Sequence, residues 1–206
     1  MKRFLLTLAL LGTTAYSLSA QSLPPTSDPG PDPIEGTFRT QTIGGWGASP
    51  NGNNPGVFLH TNFDSVFPDG ITIGSGDNVV IFTSAQAITD FLPSGGTPSA
   101  IGDSYIDPTT GELSNTLVSQ TLALTISLGF DAAIADFGES SGFLGDMTLA
   151  DGALAGKSVS EVLSLANAAL SGADTGYSIS DLNAALSIIN ENYVDGEIDN
   201  GLLTSI

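Results

Sequence analysis

The chain has 206 residues, and its 22 acidic residues against four lysines and arginines give a formal net charge of −18 at pH 7. This charge argues against binding to nucleic acid or to anionic membrane surfaces, because both repel a strongly acidic protein. The sequence has no cysteine and one histidine, which excludes disulfides and thiol catalysis and argues against a zinc site built by the protein.

Residues 1–20 have the order of a secretory signal peptide. Lys2 and Arg3 precede an apolar run from Phe4 to Leu11, and small residues follow, so we expect cleavage near Ala20, with Ser17 after Ala15 as the alternative. The apolar run is much shorter than the ~20 residues that cross a bilayer, which makes a retained anchor the weaker interpretation. The sequence therefore predicts a secreted protein, and the absence of cysteine argues against lipid attachment.

Residues 21–36 hold five prolines and almost no apolar side chain. This composition is typical of an extended or disordered linker, because such a segment cannot bury enough apolar surface to fold. We expect one globular domain over residues 37–206.

The first predicted elements follow a glycine-rich stretch, GGWGASPNGNNPG, at residues 44–56. Asn54 as the cap and Pro55 at the first helical position predict a helix over 55–67, with apolar side chains at helical spacing. Two short strands follow at 70–74 and 78–83, joined by a Gly-Ser-Gly-Asp turn.

Three capping-box patterns predict three more helices, because each pairs a Ser or Thr with a polar residue three positions later. Thr83 with Gln86 begins a helix over 84–92, Ser158 with Glu161 one over 158–171, and Ser178 with Asp181 one over 179–193. The last two helices are expected to form an antiparallel pair across a short loop.

Residues 121–130 support two interpretations. Leucine, isoleucine and phenylalanine alternate strictly with other residues there, which predicts a half-buried strand. Started from Asn115, the same stretch offers a helical stripe and a helix-forming composition. With either outcome the predicted fold class is α+β: one compact domain with four or five short amphipathic helices and a small antiparallel sheet.

Three strings of the sequence resemble a poorly characterised domain of bacterial secreted and cell-surface proteins. They are TQTIGGWGASPNGNNPGVFLHTNFDSVFPDGITIG, FTSAQAITDFLPSGGTPSAI and DLNAALSIINENYVDG, and the resemblance spans roughly Thr37 to Gly196. Proteins of that kind are often multidomain extracellular chains with adhesion-type repeats and sorting or anchoring tails. The resemblance implies a surface or matrix role, and it brings no activity or catalytic residue.

Two single residues, Trp46 and His60, are candidates for a binding or catalytic role. Trp46 lies among glycines and is either an exposed stacking platform for a sugar or an anchor of the core. His60 lies inside the predicted helix 55–67, and no G-x-S-x-G motif accompanies it, so we interpret it as structural. The glycine-rich stretch lacks the Lys-Ser/Thr of a P-loop and does not predict a phosphate site.

Two acidic groups are candidate sites. Asp131, Asp136 and Glu139 follow the ambiguous segment, and two of the three could form the carboxylate pair of a glycosidase. Aspartate beside glycine is otherwise typical of turns, which is the alternative for many acids of this chain.

The second acidic group is the calcium candidate near the end of the chain. Asp195, Glu197 and Asp199 alternate directly after a predicted helix, as oxygen ligands do at the start of an EF-hand loop. Asn200 stands where such a loop needs glycine, and Ile206 where it needs glutamate, so a solvated turn is the alternative.

Three functional hypotheses follow. The first is a secreted, acidic, non-catalytic surface, matrix or adhesion-type module for an unknown extracellular protein or glycan. The second is a secreted glycan hydrolase that uses carboxylates. The third is a binding domain for carbohydrate or protein that calcium stabilises, and no other cofactor is expected.

Overall fold

The structure is a computed structural model, and it describes residues 36–205. The predicted signal peptide and all of the predicted linker except Gly36 lie outside the described residues. The described part of the chain forms one domain with six α-helices, a short 3-10 helix and two small sheets, so the predicted α+β fold class is confirmed.

The predicted helices and strands are present with ends that differ by at most one residue. The helices are α1 (Ile43–Trp46), α2 (Pro55–Val66), α3 (Ala85–Phe91), α4 (Thr116–Ala133), α5 (Val159–Leu170) and α6 (Ile179–Asn192), and the 3-10 helix is Leu144–Asp146. The strands are β1 (Ile71–Ser75), β2 (Asn78–Phe82), β3 (Tyr105–Ile106), β4 (Thr148–Leu149) and β5 (Leu203–Thr204). The sequence did not predict α1, the 3-10 helix or the two-residue strands.

The ambiguous segment belongs to α4, the central helix, and the strand interpretation is wrong. Asn115 caps the helix, since its side-chain oxygen accepts a hydrogen bond from Leu117 N at 3.0 Å. Twelve of the 18 residues of α4 are buried, because α5, α6, β1 and α1 all pack against it. A helix buried on nearly every side has no polar face, so its sequence carries little helical periodicity.

Two buried hydroxyl groups of α4 have hydrogen-bond partners within the helix. The buried hydroxyl of Thr121 donates to Leu117 O at 2.7 Å, and that of Ser127 donates to Ala123 O at 3.1 Å, both within α4. Bonds to the preceding turn let a hydroxyl be buried without an unpaired donor. Within residues 36–205, no helix is both long and apolar enough to cross a membrane.

The larger sheet has the order β1-β2-β3. Strands β1 and β2 form the predicted antiparallel hairpin, with Ile73 opposite Val80, and both side chains are fully buried. Strand β3 pairs with β2 in parallel, so the sheet is not purely antiparallel as predicted. The second sheet pairs β4 with β5 antiparallel.

The start of α3 differs from the predicted capping box. Ser84 is the cap, and its hydroxyl oxygen accepts a hydrogen bond from Ala87 N at 3.2 Å. Thr83 does not fill that role: its N–H and hydroxyl both donate to the Asp107 carboxylate, at 2.7 and 2.6 Å. The predicted partner Gln86 instead donates to Asp90 at 2.8 Å.

The other two predicted helix starts are confirmed. Ser158 and Glu161 form a complete capping box, since each side chain accepts a hydrogen bond from the other residue's backbone N–H. Ser178 accepts from Asp181 N at 3.0 Å and begins α6.

Two glycines of residues 44–56, Gly47 and Gly56, serve close packing. A Cβ atom on Gly47 would lie 2.3 Å from Leu92 O, and one on Gly56 would lie 1.9 Å from Ala48 O. A side chain at either position would therefore collide with backbone. The stretch forms most of α1 and the turn that leads into α2, and Gly47 and Gly56 let these elements approach their neighbours.

Candidate functional site

Trp46 lies in the core, and the structure corrects the sugar-platform interpretation. Its exposed fraction is 0%, so neither ring face is open to a ligand. The indole N–H donates to Ser127 Oγ at 3.2 Å, and the ring stacks on Phe137 at 6.2 Å between centroids and tilts against Phe130 at 5.4 Å. Trp46 is an anchor of an aromatic cluster, as the alternative interpretation had it.

Arg39 covers the outer side of this cluster. Its Cζ atom lies 5.2 Å from the ring centroid of Phe58 and 5.3 Å from that of Phe137, which is cation–π distance. The side chain is 20% exposed, and its Nε atom is buried without a hydrogen-bond partner among the described residues. The two rings thus hold the stem and the guanidinium plane, while the outer part of the side chain reaches the surface.

Backbone hydrogen bonds fix the segment that carries Arg39. Thr37 O accepts from Glu139 N at 2.8 Å, and the Thr37 hydroxyl donates to Gly196 O at 3.0 Å. Thr40 N donates to Tyr193 O at 2.9 Å. The segment is therefore held between the loop that follows α4 and the turn that follows α6, and Arg39 projects where these two loops meet.

An open cleft of about 630 Å³ lies at this meeting point. We call it the Arg39 cleft; the charged residues that line it are Arg39, Asp136, Glu139, Asp195 and Glu197. Asp195 Oδ1 lies 3.8 Å from Arg39 Nη2 and accepts a hydrogen bond from Gln41 Nε2 at 2.6 Å. The cleft thus places a guanidinium donor and four carboxylate acceptors around one solvent-open space.

The three candidate glycosidase residues do not all line the same cavity. Asp136 and Glu139 both line the Arg39 cleft, whereas Asp131 does not. Asp131 Oδ2 accepts from Leu144 N at 2.8 Å and so ties the end of α4 to the 3-10 helix. Burial raises the pKa of the Asp131 carboxyl, although the bond from Leu144 N–H opposes the shift.

The calcium candidates are divided as well. Asp195 and Glu197 line the Arg39 cleft, whereas Asp199 lines a second cavity of about 340 Å³. Asp199 Oδ1 accepts from Gly201 N at 2.8 Å, as in a turn. Among residues 36–205, no group of three or more His, Cys, Asp or Glu side chains is placed to hold a metal ion. Calcium binding at this loop stays a prediction.

His60 joins two helices. Its Nε2 atom lies 2.9 Å from the Thr89 hydroxyl oxygen, and that hydroxyl donates to Ala85 O at 3.1 Å. Because the hydroxyl proton is used within α3, His60 Nε2 is the donor in the pair. His60 does not line the Arg39 cleft, and its contacts fit the structural interpretation.

Sequence reasoning missed Arg39 as the centre of a site. The available signal was scarcity, since Arg39 and Lys157 are the only cations beyond the predicted signal peptide. The structure separates these two residues. Lys157 forms an exposed ion pair with Glu161 at 3.1 Å, one helical turn along the chain, whereas Arg39 rests on aromatic rings and opens onto a cleft.

Comparisons with known proteins give no relative from which a role can be transferred. No family model matches the chain, and neither the curated proteins nor the solved structures include a significant match. The resemblance to a bacterial cell-surface domain therefore stays a prediction.

Proposed function

We propose that the protein is an extracellular, non-catalytic surface or matrix module whose ligand site is the Arg39 cleft. The observation that carries this proposal is the guanidinium of Arg39, held on two aromatic rings at the edge of a cleft with four carboxylates. The signal-peptide pattern, the acidic composition and the resemblance to surface domains support the extracellular setting.

The cleft chemistry favours a neutral glycan as the ligand. Each hydroxyl group of a sugar can donate and accept a hydrogen bond, and the cleft supplies both kinds of partner. Four carboxylates repel an anionic ligand, and a neutral sugar avoids this repulsion while still using both kinds of hydrogen-bond partner. The contact between Asp195 and Arg39 also holds the guanidinium in place before a ligand arrives, which lowers the entropy lost on binding.

Binding of the mature chain to a panel of neutral polysaccharides tests this proposal. Arg39→Lys keeps the charge but removes the planar fork of donors, so we expect affinity to fall about tenfold or more, as a lost charge-assisted hydrogen bond implies. Lys157→Gln is the matched control, because it removes the other cation outside the cleft and should leave affinity unchanged. Equal affinity of Arg39→Lys and wild type, or binding to no glycan in the panel, would contradict the proposal.

A carboxylate-based glycan hydrolase is the second candidate function, because Asp136 and Glu139 line the same cleft. Release of reducing ends from the same polysaccharides would detect it. If the protein is a hydrolase, Asp136→Asn or Glu139→Gln should abolish the activity, while Asp131→Asn, outside the cleft lining, should retain it. Substrate binding without any release favours the module over the hydrolase.

A further inference from the structure

The sequence contains two Asn-Gly pairs, Asn51-Gly52 and Asn200-Gly201. Asn-Gly is chemically labile because glycine has no side chain to shield its backbone nitrogen from the neighbouring carboxamide. Both glycines have positive φ, 57° at Gly52 and 67° at Gly201. Sequence and backbone conformation therefore do not distinguish the pairs, but their hydrogen bonds do.

The reacting groups of the Asn51-Gly52 pair are accessible. Asn51 and Gly52 are both exposed, and a Cβ atom built on Gly52 would meet no atom within 4 Å. Within residues 36–205, neither the Asn51 carboxamide nor the Gly52 N–H has a hydrogen-bond partner; only the Asn51 backbone is tied, to Asn54. The reacting groups are thus free to approach each other without breaking a bond.

In the Asn200-Gly201 pair, both reacting groups donate hydrogen bonds. Gly201 N donates to Asp199 Oδ1 at 2.8 Å, and Asn200 Nδ2 donates to Glu191 O at 2.8 Å. Both hydrogen bonds must break before the Gly201 nitrogen can reach the Asn200 carboxamide carbon. The two pairs are therefore an internally matched comparison of one reaction in one protein.

We propose that Asn51 is a site of spontaneous deamidation in the folded protein and that Asn200 is protected. The Gly52 nitrogen attacks the Asn51 side-chain carbonyl carbon, and a new C–N bond closes a cyclic imide. The original carboxamide C–N bond breaks, and its nitrogen leaves as ammonia with the proton from Gly52 N–H. Water then opens the imide at either carbonyl, which leaves an aspartyl or an isoaspartyl residue at position 51.

The modification changes the charge and the shape of a structured loop. Asn54 Oδ1 accepts from both Asn51 N at 3.2 Å and Val57 N at 3.0 Å, so the reacting residue is linked to the cap of α2. An isoaspartyl product lengthens the main chain between positions 51 and 52 and disturbs this link. Asn54 also lines a cavity of about 220 Å³ that includes Arg39, so a disturbance at Asn54 reaches the wall of that cavity.

The test is a time course at mildly alkaline pH, with chymotryptic peptide mapping by mass spectrometry and enzymatic methylation of isoaspartyl groups. In the folded protein, we expect Asn51 to react about tenfold faster than Asn200, since two hydrogen bonds oppose the second reaction. In denaturant the two rates should become similar. Asn51→Gln should remove the product at position 51 and leave Asn200 unchanged.

A second variant separates hydrogen bonding from other local effects. Asp199→Ala removes the acceptor of Gly201 N–H and should speed the reaction at Asn200 several-fold without changing Asn51. Similar rates at the two sites in folded wild type would overturn the proposal. So would a folded protein in which Asn51 stays intact while both sites react in denaturant, or an Asp199→Ala variant whose Asn200 stays as slow as in wild type.

Discussion

Polar side chains are treated in opposite ways in the core around α4 and in the Arg39 cleft. In the core, the hydroxyls of Thr121 and Ser127 donate to carbonyls one turn back in the same helix, and the Ser127 hydroxyl also accepts the indole N–H of Trp46. In the cleft, the carboxylates of Glu139 and Glu197 face solvent with only Arg39 as a cation beside them. The core is closed to solvent and these hydroxyls find their hydrogen-bond partners inside it, whereas the cleft is open to solvent and charged.

This difference indicates that the core and the cleft have separate roles within one domain. Large apolar residues in the core carry the stability, because buried apolar area is the main favourable term in folding. The cleft lies at the meeting point of two loops and contributes little buried area. Changes in one region should therefore leave the other unaffected, which three experiments can test.

The largest effect is expected in the core. Phe63→Ala and Leu186→Ala each remove a side chain that is at most 1% exposed, and each should lower the free energy of unfolding by about 2–5 kcal/mol. Urea denaturation would measure both changes. Two variants outside the core serve as controls: Glu197→Gln in the cleft should change little, and His60→Ala should cost under about 1 kcal/mol. A cleft variant that destabilises the protein as much as the core variants do would contradict the separation of stability from the cleft.

An intermediate effect is expected from the charge of the surface. The acids beyond the predicted signal face only Arg39 and Lys157, so self-repulsion opposes the folded state at low salt. The Debye length falls from ~30 Å at 0.01 M salt to ~8 Å at 0.15 M, which screens the repulsion. We expect the melting temperature to rise by about 2–4 °C over this range, the shift that ~1 kcal/mol produces in a domain of this size.

The same melting experiment, repeated with calcium, tests the predicted calcium loop. At matched ionic strength, calcium should raise the melting temperature more than sodium only if the folded protein binds it specifically. The double variant Asp195→Asn with Asp199→Asn should then remove the calcium-specific increment and keep the general salt effect. Equal effects of calcium and sodium would contradict the predicted calcium loop.

The smallest effect is expected at Asp131, at the border between core and surface. Burial raises the pKa of this carboxyl in the folded state, so its protonated form favours folding. This contribution is fully present below the ordinary pKa of 3.8 and is lost as pH rises through the raised value. Asp131→Asn should therefore be more stable than wild type at neutral pH, and the difference should shrink as the pH falls towards 3.8.

Glu161→Gln is the control of opposite sign. Hydrogen bonds from Ser158 N–H and from Lys157 hold the pKa of Glu161 below its ordinary value. Its contribution is present above the ordinary pKa and is lost as pH falls through the lowered value. This variant should be less stable than wild type at neutral pH. Two variants that change stability in the same direction at neutral pH would contradict the assigned causes.

The sequence predicted those elements that carry local signals. Helices α5 and α6 have capping residues and one apolar face, and both signals lie in the local sequence of each helix. Helix α4 is buried on nearly every side because other elements surround it, so it lacks a polar face and its strict alternation imitated a strand. Strand β3 has two residues and depends on pairing with β2, which no local pattern specifies.

The candidate site was less predictable than the fold. Asp136 and Asp195 are far apart in the sequence and meet only because the segment at Thr37 holds both loops. Trp46 was ambiguous because glycine neighbours suit both an exposed ring and a closely packed one. Arg39 was not identified, since a single arginine has no motif and its two aromatic partners come from separate elements.

The hydrogen bonds at Thr37 and Thr40 also bear on the order in which the domain can assemble. Their partners lie at Asn190, Tyr193 and Gly196, about 150 residues further along the chain. A ribosome or a translocation pore releases the first of these residues long before the last, so the early segment has no partner during synthesis or passage. Contacts over such distances also slow folding, because a long loop must close first. The contacts that join the two ends of the domain can therefore form only after nearly all of its residues are available.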